Sequence, residues 1–398
     1  MSAKKRLEKE EEPLVSAFRK ELRSAMERVL RAELRAALDA EPYARSEERK
    51  GYRHGSEERG ILTSLGPSEF KMPRGRIKVQ DGTEEEWRSF LIGRYQRRTR
   101  DIDLAIMELY LAGVNTRRIK KALRPLLGNA ELSASTVSRI VSALKEHFET
   151  WRKRSLAEED MRYLYLDGFS VKVRVAGRCS RVSILAAVGV NGKGEKKLMG
   201  LWLKGSESAQ AWSDALEDMI GRGLKAPLLV IIDGGKGLRR AVEECWPKTA
   251  IQRCTVHKLR NLLAILPKRA HKELKTDYRR IINAFSLSQA REAYKNFTGR
   301  WRSRSPEVVK SLAEAGTELL TFYYFPDTQW RSLRSTNVIE RLYGEFRRRV
   351  KTQGALPTEE AVLALLYGLV ATGQIVMRKM TGYENMPDIL PAELDKAA

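Results

Sequence analysis

Cysteine is scarce in this chain: Cys179, Cys245 and Cys254 are the only three in 398 residues, and their spacing builds no disulfide framework. That points away from a secreted scaffold and towards a reducing compartment, with the cytoplasm as the default. Long apolar runs are also missing. Nothing approaches the roughly 20 consecutive apolar residues that a membrane helix needs, and Met1 is followed by a charged stretch through Glu12 instead of an apolar signal core. The chain therefore reads as soluble, with no membrane partner. Internal repeats and low-complexity tracts are absent as well. Acidic residues are in deficit, with 51 Asp and Glu against 74 Lys and Arg and a formal charge of +23. Such an excess favours a polyanion partner, nucleic acid first, although ribosomal and membrane-surface proteins share it. At about 150 residues per domain the length allows two or three domains with a sizeable core.

The first segment, residues 13 to about 38, repeats apolar residues at helical spacing between charges and predicts an amphipathic helix suited to dimerisation or docking. The Gly- and Arg-rich stretch that follows, "GYRHGSEERGILTSLGPSEFKMPRGR", reads as loops with a small hairpin whose arginines could touch phosphate. A helix is expected from Asp101, with Ile102, Ile106, Leu109 and Leu111 as its apolar positions and Gly113 as its end. Asn115 is placed to cap a second helix, "TRRIKKAL". Ser133 is placed to cap a third, in which Val137, Ile140, Val141 and Leu144 form the buried stripe. This is a helix-turn-helix pattern, and it would aim Ser135, Thr136, Ser138 and Arg139 at base edges or phosphates. Three packed helices without a ligand would show the same pattern.

After the basic linker "WRKR" at Trp151 the character changes. "YLYLDGFSVKVRV", "VSILAAVGV" and "KKLMGLWL" read as three strands, followed by a helix, the apolar run "LLVIID", another helix and a short strand "TAIQR". That order predicts a mixed α/β sheet. Asp167 and Asp233 each stand at the end of an apolar run and are expected to terminate buried strands, where ligands of open α/β sheets gather. Each is followed by Gly, which would let a metal or phosphate approach; Asp-Gly is also ordinary turn chemistry. Glu340 lies in a final predicted helix, about Thr336 to Lys351. Val338, Leu342, Phe346 and Val350 are its expected buried stripe, and Asn337, Glu340, Gly344 and Arg347 share its polar face. Asn337 and Glu340 also have capping-box spacing. Three carboxylates brought together can hold two Mg²⁺ ions about 4 Å apart for phosphodiester cleavage, and Mn²⁺ would substitute.

With these residues placed, the chain resembles the mutator-type transposase family of bacterial insertion sequences. The strongest stretch is "DGGKGLRRAVEECWPKTAIQRCTVHKLRN", with Asp233, Gly237, Leu238, Trp246, Pro247, Gln252, Cys254 and His257 on the family pattern; Cys245 stands where the family more often has a small residue or Val. "RYQRRTRDIDLAIMELYLAGVNTRRI" and "STNVIERLYGEFRRRVKTQG" resemble it in the same order. The resemblance implies a ribonuclease-H-like catalytic domain with an all-helical insertion, preceded by a helical region with a helix-turn-helix. It implies the catalytic and metal-holding triad Asp167, Asp233 and Glu340, with Cys254, His257 and Asn337 as accessory residues. Zinc at Cys254 and His257 lacks its remaining ligands. Arg341, Arg347, Arg348, Arg349 and Lys351 would hold DNA phosphates beside the triad; a solvated charged face is the plainer reading.

The expected domains are residues 1–93, a helix with a basic DNA-binding region; 94–154, the helix-turn-helix; and 155–398, the catalytic domain. Its helical insertion at about 254–330 is expected to cover the site and grip DNA. Transposon-end and target DNA are the implied partners of a homodimer or larger assembly in a prokaryotic cytoplasm, associated with the nucleoid. A catalytically inactive DNA-binding regulator descended from a transposase is the first alternative, and a nuclease of similar fold that hydrolyses without joining is the second.

Overall fold

The structure, a computed structural model, describes residues 13–44, 49–79, 83–114, 116–127, 133–175, 178–353, 358–387 and 394. The chain divides into two compact units, residues 1–142 and 143–398.

In the first unit, helix α1 (Pro13–Leu38) is the amphipathic helix that its periodicity predicts, and it packs on strand β2. Strands β1 (Gly51–Thr63) and β2 (Gly66–Lys78) form one long antiparallel hairpin, and the short β3 (Glu84–Glu86) joins β2. The hairpin is far larger than the small one expected. Its period-two signal is carried partly by small residues: Gly66, Ser68, Phe70 and Met72 are buried alternately with exposed Pro67, Glu69 and Lys71. Ile61, Phe70, Met72 and Ile92 close over Leu30 as a small core. Helix α2 (Arg100–Leu111) is followed by Gly113 in a left-handed conformation, φ 93°, and then by α3 (Thr116–Leu127). Asn115 lies outside the described residues. Helix α4 (Ala134–Arg152) is capped by Ser133, whose hydroxyl accepts from the Thr136 N–H at 3.2 Å. Its buried stripe is Val137, Ile140, Leu144 and Phe148, with Val141 half-buried. The boundary between the units falls within α4.

The second unit is mixed α/β, as its element order predicts. Strands β4 (Met161–Val175), β5 (Arg178–Asn191) and β6 (Lys196–Lys204) run antiparallel in sequence. After α5 (Ala209–Gly221), strand β7 (Leu229–Ile232) pairs parallel with β4; after α6 (Lys236–Cys245), β8 (Ala250–Arg253) pairs parallel with β7. The sheet order is β6-β5-β4-β7-β8. Strand β7 is buried throughout, as a strand between two parallel neighbours under helices must be. Leu164, Leu166, Trp212, Leu216, Val230 and Ile232 belong to the core between the sheet and α5 and α6.

Residues 255–333 are helical: α7 (Thr255–Ile265), α8 (His271–Ile282), α9 (Leu287–Arg302), α10 (Pro306–Glu314) and α11 (Asp327–Leu333). Helix α12 (Asn337–Gln353) follows, but it is not the final long helix, because α13 (Glu359–Ala371) comes after it. Ala361 to Leu366 are all buried, so α13 carries no polar face and no stripe by which periodicity could find it. The expected stripe of α12 also needs correction. Ile339, Leu342, Tyr343 and Phe346 are buried, whereas Val338 is only half-buried and the Val350 side chain lies outside the described residues. Among the described residues no helix is long and apolar enough to cross a membrane.

Candidate active site

Parallel pairing of β4 with β7 sets Leu166 against Ile232, so the next residue on each strand, Asp167 and Asp233, emerges side by side. Asp233 follows the last residue of β7. Asp167 does not end its strand, contrary to the sequence expectation. Strand β4 continues to Val175 because β5 keeps pairing with it, Asp167 standing opposite Ala186. Asp167 is buried, at 6% exposure. The Gly168 N–H donates to its Oδ1 at 2.9 Å, and the Tyr343 hydroxyl donates to its backbone carbonyl. The Gly235 N–H donates to Asp233 Oδ1 at 2.9 Å. Burial first, and then the charge of Asp233, holds the Asp167 carboxyl above the usual carboxylate range; the charge on His257 and the Gly168 N–H oppose this.

The glycines after the two acids serve neighbours within the chain. A Cβ on Gly168 would lie 2.5 Å from the Glu207 carboxyl carbon, and one on Gly234 would lie 2.1 Å from the Arg253 guanidinium. Gly234 also has φ +100°. The sequence reading did not include Glu207. Burial and the charge of Asp233 raise its carboxyl, while a hydrogen bond with Ser183 opposes them. It is a fourth carboxylate beside Asp167 and Asp233. Its only sequence signal is its place just before Ser208, which caps α5, and that place reads as ordinary helix-start chemistry.

Glu340 arrives on the first turn of α12, its N–H donating to the Thr336 carbonyl at 3.0 Å. Its carboxylate Oε1 accepts from Arg260 at 2.8 Å and stands 3.4 Å from His257 Nε2. It is therefore committed to α7, not to a capping box with Asn337, which is exposed. Cys254, His257 and Thr336 join the two helices. The Thr336 N–H and hydroxyl lie 3.4 and 3.3 Å from Cys254 Sγ, and the hydroxyl lies 3.3 Å from His257 Nδ1. Burial pushes the Cys254 thiol up, but hydrogen bonds from His257 and Thr336 outweigh it, so the thiol lies below its ordinary value. The bond to Cys254 raises His257 above the usual imidazole value against its burial, and the charges of Cys254, Asp167 and Glu340 reinforce this. Tyr343 stacks on Phe169 at 4.1 Å and so seats α12 on β4.

Asp167 and Asp233 are thus brought together, while Glu340 stands against His257, whose charge also acts on Asp167. Among the described residues no three His, Cys, Asp or Glu side chains stand close enough to hold a metal ion. The donor chemistry nonetheless fits a hard cation. Asp167, Asp233 and Glu207 offer oxygen alone, and no described cation lies within 4 Å of any of them to neutralise their mutual repulsion.

Of the other predicted residues, Ser135, Ser138 and Arg139 are exposed on α4, whereas Thr136 is buried with its hydroxyl 3.0 Å from Ser133 Oγ. Arg341, Arg347 and Arg348 are exposed on α12. Arg347 lies over the Phe169 ring at 5.9 Å, and Arg348 and Arg349 pair with Glu345. The Lys351 side chain lies outside the described residues.

The mixed α/β fold is consistent with what the comparisons show. The model of the Transposase, Mutator family matches residues 2–374, and the chain belongs to that family. It is 35% identical over 372 residues to the transposase for insertion sequence element ISRM5 of Rhizobium meliloti, covering 94% of this chain and 91% of that one. It is 33% identical to the transposase for IS905 of Lactococcus lactis, over 87% of this chain and 86% of the relative. Against the transposase for IS256 in transposon Tn4001 of Staphylococcus aureus the identity is 31%, over 83% of each chain.

Proposed function

We propose that this protein is a DNA transposase that binds the ends of its insertion sequence and performs metal-dependent cleavage and strand transfer through Asp167, Asp233 and Glu340. The observation that carries this reading is the arrival of Asp167, buried, and Asp233, half-buried, side by side from parallel strands and repelling, with no described cation within 4 Å of either. Three antiparallel strands followed by two parallel ones, in the order β6-β5-β4-β7-β8, support a ribonuclease-H-like domain, and residues 255–333 are its helical insertion.

Asp167, Asp233 and Glu340 would hold two Mg²⁺ ions, and Glu207 lies in position to assist. Such ions activate a water or 3′-hydroxyl for attack on a phosphodiester and steady the departing oxygen. Arg260 and His257 fix the Glu340 carboxylate, and the His257–Cys254–Thr336 contacts fix the turn from which α12 projects it. Tyr343 holds the Asp167 backbone in place.

In the first unit, a groove lined by Arg19, Lys20, Arg23, Arg97, Ser135 and Arg139 supports recognition of the element's ends by α4 as the reading helix of a helix-turn-helix. Transposition joins two ends, so a homodimer or larger assembly on DNA belongs to this reading. The experiment is cleavage and joining of labelled DNA bearing the element's own ends, with Mg²⁺ or Mn²⁺ against EDTA, for wild type and Glu340→Gln. Metal-dependent joining that the variant loses is expected. Binding without cleavage under every metal condition would instead mark a catalytically inactive regulator.

A further inference from the structure

A second groove, of about 1060 Å³, runs along α12 about a quarter turn from Glu340. Asn337, Arg341, Gly344 and Arg348, at helical spacings of four, three and four, form one wall. The other is built by Arg331 at the end of α11 and the segment after α13 that carries Arg378 and Lys379. Seven cations line the groove against one carboxylate, Glu345, which is already taken by Arg348.

Most of these cations face no carboxylate. Among the described residues, Arg331, Arg341, Arg378 and Lys379 have no carboxylate within 4 Å. The Lys196 ammonium at the groove, half-buried, finds only the Arg378 carbonyl, at 2.7 Å. Burial, and then the nearby Arg341 charge, holds that ammonium below its ordinary value, the mark of positive charge packed without a counter-ion.

We propose that this groove holds the phosphate backbone of the target DNA duplex during joining, an inference that rests on the transposase reading above. Its length fits: Arg341 to Arg348 spans about 10 Å of helix, close to three nucleotide steps of one strand. Flexible cations set on both walls neutralise phosphates without reading bases, which suits a DNA chosen with little regard to sequence. The element's own end needs base-edge donors, and those stand on α4. The groove also shares α12 with Glu340, so a strand lying in it passes beside the acids.

The test uses the full-length protein with Arg331→Glu/Arg378→Glu, residues outside the triad and its supports, and with Arg331→Lys/Arg378→Lys. Each is measured for affinity towards a plain duplex, affinity towards an element-end duplex, hydrolytic cleavage at the ends, and joining to target. For the Glu pair, plain-duplex affinity is expected to fall roughly tenfold and its salt slope to shrink by about 2. Joining should fall in parallel and recover as target DNA is raised, with end binding and cleavage kept and the melting temperature held. The Lys pair should behave as wild type. Unchanged plain-duplex affinity and joining in the Glu pair would overturn the proposal, as would equal loss of end binding, which would make the groove a seat for the element's end. A wild type that cleaves nothing in any metal would sink the transposase reading instead, and the plain-duplex arm would still report on the groove.

Discussion

Two sets of four carboxylates in the second unit are treated in opposite ways. Among the helices between α7 and α11, Glu273, Asp277, Glu314 and Glu318 all meet cations: Arg300 and Arg304 hold Glu273, Arg280 and Arg300 hold Asp277, Arg253 and Lys258 hold Glu314, and Arg239 holds Glu318. At the sheet, no described cation stands within 4 Å of Asp167, Asp233 or Glu207, and Asp167 feels only the more distant charge of His257, whereas Glu340 is paired. Paired charge stabilises and orients helices. Charge left unpaired in a buried place destabilises the fold, and it persists where a ligand will neutralise it. The same contrast holds for the cations. In the helical region Lys258, Arg260, Arg280, Arg300 and Arg304 are spent on ion pairs, so these cations orient helices and are not free to hold phosphate.

Five substitutions test this contrast. The largest effect is expected from Asp167→Asn or Asp233→Asn, which should lower cleavage by roughly a thousandfold or more while end binding persists. Because Asp167→Asn removes a buried charge that faces another, the metal-free variant should melt higher than wild type, by about 2–4 °C for each ~1 kcal/mol relieved; a lower melting temperature would mean that the acid is structural. Asp277→Ala should do the reverse. It strands the buried Trp301 indole N–H, now bonded at 3.1 Å, and leaves Arg300 only Glu273, and it should cost on the order of 3 kcal/mol of stability without altering the metal requirement of cleavage. A metal titration of Glu207→Gln should show half-maximal activity at up to about tenfold higher Mg²⁺; no shift would remove Glu207 from the site. Smallest is Glu244→Ala, which breaks an exposed pair with Arg240 and should leave melting and cleavage as they are.

The extent to which the sequence was legible follows from how local each signal is. Helix α1, the cap at Ser133 and the strand-helix order from β4 to β8 rest on neighbours a few residues apart, and periodicity found them. Helix α13 escaped because burial on all sides erases amphipathic spacing. Asp233 was legible as the end of an apolar run. Asp167 was misread as a strand end because pairing with β5, which carries β4 onward, cannot be seen from β4 alone. Glu207 was invisible, since nothing within its own segment distinguishes it from a residue preceding a helix cap.

The sequence by itself determined the charge balance, most of the elements and the acids worth watching, because each depends on residue type and short spacing. Tertiary structure alone decided that Asp167 and Asp233 lie abreast, that Glu340 faces His257 and Arg260, and which cations are paired. The contacts of the acids join residues 66 to 83 positions apart, and over such separations only strand register and helix packing bring side chains together.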